Sequence, residues 1–334
     1  MKELIMINTW LTQSFKIKYP IIVAPMFLIS NKEMLIEASK AGVMGCIPAL
    51  NYRSVDEFKT AMLDLKEKKQ GPFGVNLIVN KSNIYFQGQL DACKEIAPDF
   101  IITSLGSPES TIKAFKNTKT KIFCDVVDLD YAIKVEQLGA DALIAVNSGA
   151  GGHAGNIPIT VLVPQLVKNC KIPVISAGGV GNGEGLISAL SLGATGISMG
   201  SPFISIKESP VSDEYKNACV SYSAQDIVLS TKISGSPCTV INTPYVKKIG
   251  TKQNWLERTL SKNKKLKKYI KMFTWYFGTK AIEKAAFSAT YKTVWCAGPS
   301  IEFTENISTT KHIVDRVIKE YDHAFEKVLN LRNQ

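Results

Sequence analysis

Residues 173–201 read PVISAGGVGNGEGLISALSLGATGISMGS, and the punctuation of this stretch decides the fold. Two short apolar runs, Pro173–Ala177 and Gly196–Met199, lack the polar alternation of a half-exposed strand. Near-continuous apolar runs of this length are what strands covered on both faces look like. Between them, Gly183 to Leu192 has a helical pattern and stops at Gly193; glycine just past a helix supplies the left-handed backbone that ends it. Strand, glycine turn, helix and strand make one repeat of a parallel sheet.

The same repeat extends backwards to residue 20. Further strands are expected at Ile21–Ala24, Gly45–Pro48, Phe73–Leu77, Phe100–Ser104, Lys121–Val126 and Ala142–Val146. Helices alternate with them. One is capped by Ser30–Asn31, carries Met34, Leu35 and Ala38 on one face, and stops at Gly42; another runs from Asp128 to Leu138 and ends at Gly139. Eight such units in one chain predict a closed (β/α)8 TIM barrel rather than an open doubly wound sheet. The barrel core is expected over residues 1–205. The chain after it is longer than one closing helix needs, which predicts an insertion over 206–305. A closing helix is expected within 306–334, where Ile313, Val314, Val317, Ile318, Tyr321, Phe325 and Val328 form an apolar stripe between Thr309 and Leu329.

Composition narrows the class. The 334 residues are 45% hydrophobic and 21% charged, which excludes disordered, collagenous and coiled-coil chains. No apolar run reaches the roughly 18–20 residues of a membrane span, and the N-terminus has no signal-peptide core. The seven cysteines (46, 93, 124, 170, 219, 238, 296) are odd in number and none lies within four residues of another. This reads as reduced, buried thiols in a cytoplasmic protein, and it argues against zinc-ribbon and CxxC redox sites. With three histidines, no metal centre is expected. The net charge of +11 sits entirely in residues 245–292, which hold thirteen Lys or Arg against Glu257 and Glu283. Lys262–Lys271, followed by Phe273, Trp275 and Tyr276, mixes lysines and aromatics, but reads as an amphipathic surface helix. Neither nucleic acid nor membrane is expected as a partner. The quaternary expectation is a monomer or homodimer.

In a TIM barrel, chemistry collects where the strands end. Strand one ends in Ala24-Pro25-Met26, strand three carries Asn76, strand five Asp125, and strand six runs into NSGAGGHAG (147–155) with Gly151 and His153. Strand seven ends in Ser176-Ala177-Gly178-Gly179 and strand eight in Met199-Gly200-Ser201. Glycine turns after strands seven and eight let backbone N–H groups approach an anion, so a phosphate site is expected there. Such turns also occur for tightness alone, but two at the two expected positions favour the anion. No P-loop pattern occurs. His153 follows glycines that leave space beside it, and an imidazole transfers protons near neutral pH. Asn76 and Asp125 are polar groups on apolar strands and need partners, from a cofactor or from neighbouring loops. Ser104 and Ser176 are weaker candidates. Cys46, Cys124 and Cys296 have no histidine partner in the sequence and read as structural.

Several of these segments together resemble one family: APM (24–26), GPFGVNLIVNKSN (71–83), ITSLGSP (102–108), FCDVV (123–127), GAGGHAG (149–155), ISAGGV (175–180), MGSPFI (199–204) and DIVLSTKISGSP (226–237) are similar to the nitronate monooxygenases, formerly called 2-nitropropane dioxygenases. The resemblance covers roughly residues 20–240. It implies an FMN-dependent TIM barrel with a mostly helical insertion after strand eight that covers the active site. It implies Ala24, Pro25 and Met26 along the flavin, Asn76 bonded to the ring, and Gly178, Gly179, Gly200 and Ser201 on the phosphate. It also implies His153 as catalytic base or proton donor. Some members carry a flavin-contacting glutamine on strand six, where this chain has Val146 and Asn147. WCAGPSIEF (295–303) is similar to a segment near the substrate mouth of relatives. The activity implied is oxidation of an alkyl nitronate with O2 to a carbonyl compound and nitrite. The competing reading is a flavin-dependent enoyl-acyl-carrier reductase using NAD(P)H, with the basic segment 245–292 docking an acidic carrier or a CoA phosphate.

Overall fold

The eight apolar runs become eight parallel strands: β1 (Ile21–Val23), β2 (Met44–Pro48), β3 (Phe73–Ile78), β4 (Phe100–Ser104), β5 (Lys121–Val126), β6 (Ala142–Val146), β7 (Val174–Ala177) and β8 (Gly196–Met199). They form a closed barrel in chain order in the computed structural model, which describes residues 7–68, 71–231, 237–252 and 294–331. Closure comes from β1, where Ile22 pairs with Met44 on one side and Ser198 on the other. The predicted helix signals are in place. The side chains of Asn31 and Asp128 accept hydrogen bonds from the first helical turns, and so does that of Asn182, which the sequence reading did not single out. Gly42, Gly139 and Gly193 follow their helices at φ +81°, +98° and +95°.

Strand residues alternate between two layers. Ile22, Met44, Cys46, Phe100, Ile102, Phe123, Ile144 and Ile175 fill the barrel interior. Their neighbours Ile21, Val23, Ile101, Cys124, Leu143 and Val174 belong to the layer packed beneath the helices. A short helix absent from the sequence reading, Trp10–Phe15, closes the N-terminal end. Leu11 and Phe15 join the interior cluster, and the Leu11 N–H donates to Thr195 Oγ1 at 3.0 Å. Phe100 and Phe123 stack at 5.1 Å, with Phe15 edge-on at 5.7 and 5.8 Å. Gly74 admits this stack, because a Cβ there would lie 2.2 Å from the Phe100 ring.

After β8 the chain makes a helix (Asp213–Ser221) and an antiparallel hairpin, β9 (Ile227–Ser230) and β10 (Cys238–Ile241). The hairpin is followed by a further helix, Pro244–Ile249; the hairpin's β-branched residues Ile227, Val228, Thr239, Val240 and Ile241 favour extended backbone. Residues 253–293, with the lysine-aromatic stretch and most of the basic charge, lie outside the described residues. The segment 294–298 bridges to β10 through Val240 and Cys296. Trp295 stacks on Tyr215 at 5.3 Å, and the Tyr215 hydroxyl donates to the Cys296 carbonyl at 2.5 Å.

The closing helix spans Thr310–Leu331. Arg316 donates to the Gly181 carbonyl and pairs with Glu320, which accepts the Gly183 N–H at 2.9 Å. The predicted stripe is buried at Ile313, Val314, Val317 and Ile318, but Phe325 and Val328 are exposed.

Candidate active site

The C-terminal end of the barrel opens into a cavity of about 850 Å³. Eleven of the candidate residues read from the sequence line it: Ala24, Pro25, Met26, Asn76, Ser104, Asp125, Gly151, His153, Gly178, Gly200 and Ser201. Three do not. Ser176 points outward from β7 between Ile175 and Ala177, and its buried hydroxyl has no hydrogen-bond partner among the described residues. Met199 belongs to the layer beneath the helices. Gly179 turns behind the wall, where its N–H donates to the Gly149 carbonyl at 2.8 Å. Strand alternation decides the first two, since a residue beside an inward-facing one faces outward.

Of the residues expected to hold an anion, Gly178, Gly200 and Ser201 face the cavity. Their N–H groups have no protein acceptor among the described residues. Gly178 adopts φ +107°, and a Cβ there would meet the Ala150 backbone N at 2.4 Å. At Gly200 a Cβ would touch only Met26 and Ala24, at 3.5 Å or more. Ser201 opens a short 3-10 turn, and its hydroxyl oxygen accepts the Gly298 N–H at 2.9 Å, leaving its own proton to donate. Unpaired N–H donors around a small concavity are suited to a phosphate.

A polar relay crosses the opposite wall. Asn76 Nδ2 donates to the Ile102 carbonyl at 3.1 Å and to Ser104 Oγ at 2.7 Å. Ser104 donates in turn to Asp125 Oδ2 at 2.5 Å. Both Asn76 amide protons are used within the barrel, so its Oδ1 is what it can offer a ligand. Asp125 is open to the cavity yet enclosed by barrel walls; this burial pushes its carboxyl up to about 6, against the opposing hydrogen bond from Ser104. Ser104, a weak candidate in the sequence, is the link that joins Asn76 to Asp125. Ser198 also lines the cavity and was not read from the sequence. Its inward facing, two residues before Gly200, was the available signal.

The His153 loop is held from both sides. Asn147 donates to the Gly178 carbonyl at 2.9 Å and accepts the Gly149 N–H at 2.8 Å, so its amide staples the β6 and β7 turns together and does not line the cavity. Thr239 of β10 donates its N–H to the Gly152 carbonyl at 2.8 Å and its hydroxyl to the Ala150 carbonyl at 2.9 Å. Gly152 has φ +72° and open space where a Cβ would stand. His153 reaches the cavity from this loop. Its ring is exposed at the mouth, but the surrounding walls desolvate it and lower its pKa below the ordinary imidazole value. The neutral form, able to accept a proton, is thereby favoured.

A sequence profile of the nitronate monooxygenase family matches residues 8–85 and 82–320. The chain belongs to the nitronate monooxygenase family. A probable nitronate monooxygenase of Staphylococcus saprophyticus is 30% identical over 288 residues, covering 73% of this chain and 81% of that one. A (3aS,4S,5R,7aS)-5-hydroxy-7a-methyl-1-oxo-octahydro-1H-indene-4-carboxyl-CoA dehydrogenase of Rhodococcus jostii is 28% identical over 240 residues, covering 72% and 67%. Among solved structures, FabK from Thermotoga maritima superposes with a TM-score of 0.84 at 27% identity, covering 97% of this chain and 99% of that one. The chain is thus an oxidoreductase, of a family that implies a flavin. Among the described residues, no helix is long and apolar enough to cross a membrane.

Proposed function

We propose that this nitronate monooxygenase family member holds FMN and oxidises alkyl nitronates with O2 to a carbonyl compound and nitrite. The supporting observation is the cavity's two-ended chemistry, with acceptor-free N–H groups of Gly178, Gly200 and Ser201 at one part of its wall and His153 at its mouth. Those groups fit a flavin phosphate, and Ala24, Pro25 and Met26 give the ring an apolar wall. Bound FMN supplies the redox centre that accepts electrons from substrate and passes them to oxygen.

The chain's own residues do the rest. Neutral His153 takes the α-proton of a nitroalkane or, where the nitronate is the form that binds, hydrogen-bonds its oxygens. Apolar walls around that group strengthen its electrostatic effect. Asn76 Oδ1 and the Asp125 carboxyl offer the hydrogen bonds that fix the ring's polar edge.

A second reading is reduction of an enoyl thioester with NAD(P)H. It is favoured by the 28% identical Rhodococcus jostii relative, whose substrate is a CoA compound. The visible spectrum of the purified protein, followed by anaerobic titration, separates the two. Bleaching by propionate 3-nitronate supports the first reading; bleaching by NADPH with no response to the nitronate supports the second. A colourless protein that takes up no FMN overturns both.

A further inference from the structure

Two cysteines 58 positions apart in sequence meet at the cavity wall. Cys238 on β10 and Cys296 on the returning segment have sulfurs 3.6 Å apart, and both are reduced. Both line the cavity. Cys238 is buried and Cys296 half-buried, whereas Cys46, Cys93, Cys124, Cys170 and Cys219 are all buried. We propose that Cys238 and Cys296 form an oxidant-sensitive dithiol that peroxide arriving through the cavity converts to a disulfide.

The surroundings support a bond at this place. The antiparallel bridge between Val240 and Cys296, two residues from Cys238, already holds the two backbones side by side, and the sulfurs have to close from 3.6 Å to the roughly 2.0 Å of a disulfide bond. Cys296 is the more accessible thiol and reacts first. Its sulfur attacks one peroxide oxygen, the other leaves as water after protonation, and Cys296 becomes a sulfenic acid. The Cys238 thiol then gives up its proton and attacks that sulfur, and a second water leaves. Two thiols are oxidised to one disulfide and one peroxide is reduced to two waters. The Cys296 sulfur and burial push the Cys238 thiol up, which suits a resolving partner that stays protonated until the sulfenic acid forms.

The position gives the bond a consequence. Next to Cys238, Thr239 holds the carbonyls of Ala150 and Gly152 on the His153 loop. Two residues after Cys296, the Gly298 N–H holds Ser201 Oγ beside the proposed phosphate site. A disulfide would tie together the segment that braces the His153 loop and the segment that holds Ser201. It does not depend on which substrate the site takes.

The test uses the purified full chain with whatever cofactor it carries. The protein is treated with a few equivalents of hydrogen peroxide, alkylated, digested without reductant and mapped by mass spectrometry. The expected result is a peptide pair joined through Cys238 and Cys296, 2 Da lighter than the two thiol peptides, that disappears after dithiothreitol. The other five cysteines remain alkylatable. Recovery of both cysteines as alkylated thiols would overturn the proposal. So would Cys296 driven to sulfinic or sulfonic acid while Cys238 stays free. Dimedone trapping of Cys296 in a Cys238→Ser protein, and not in the unsubstituted chain, would support the order of the two steps. The peptide map needs no variant to fold and no flavin to be bound, so its outcome is independent of the proposed nitronate oxidation.

Discussion

The two ends of the barrel are built from the same strands and do opposite things. At the N-terminal end, Phe15, Phe100 and Phe123 pack ring against ring and the helix Trp10–Phe15 closes the opening. At the C-terminal end, the same strands finish in Asn76, Ser104, Asp125, Gly178 and Gly200 around an open cavity. Large apolar side chains stabilise the first end by burial. The second forgoes that stabilisation, leaving polar groups and unpaired N–H donors where a ligand is expected. With the proposed site at the open end and the apolar packing at the closed one, substitutions at the two ends should separate turnover from stability.

The largest effect expected is at the open end. His153→Ala should lower turnover by about 10²- to 10⁴-fold, the range for losing a general base, while leaving flavin absorbance and thermal stability near those of the unsubstituted protein. Unchanged turnover would remove His153 from the chemistry. Because burial lowers its pKa, the acid limb of the kcat/KM profile should lie below pH 6.5.

At the closed end, Phe123→Ala should cost about 3–5 kcal/mol in denaturant unfolding, the range for emptying a buried aromatic site. Turnover per folded molecule should change little. A large loss of turnover in folded protein would show that the two ends are coupled.

Asp125→Asn probes the boundary between the ends. Its carboxyl is raised from 3.8 to about 6 by burial, so the folded state binds the proton more tightly than the unfolded chain. The stability this adds is full below pH 3.8 and is lost as pH rises through about 6. Asparagine removes that dependence. Relative to the unsubstituted protein, the variant should gain at most about 3 kcal/mol between pH 4 and pH 7, read by chemical denaturation at the two pH values.

The smallest effect is expected at Ser201→Ala. Removing one neutral hydroxyl from the proposed phosphate site should weaken FMN binding by about fivefold, equivalent to roughly 1 kcal/mol. Fluorescence titration of the apoprotein measures it. No change would leave the backbone N–H groups as the whole of that site.

Much of the molecule was legible because its signals are local. Apolar runs bounded by glycine mark β1 to β8 to within about two residues, and Asn31, Asp128, Gly139 and Gly193 mark helix ends by their own backbone preferences. The helix Trp10–Phe15 was not legible. It is one and a half turns long and gains its stability from the barrel floor rather than from an amphipathic pattern of its own. The insertion's hairpin was obscured in a similar way, because four-residue strands carry little periodicity.

The site divides along the same line. Composition and motif order alone determined that this is a barrel with polar and glycine residues gathered at its C-terminal end, since strand direction fixes where strand ends fall. Only the tertiary structure decided which of those residues face inward, sending Ser176 and Met199 behind the wall and joining Asn76, Ser104 and Asp125 from three strands into one relay. It alone brought Cys238 against Cys296. The facing of a side chain depends on strand register and closure, and the meeting of distant residues on how the chain returns; neither is a property of the nearest neighbours in sequence.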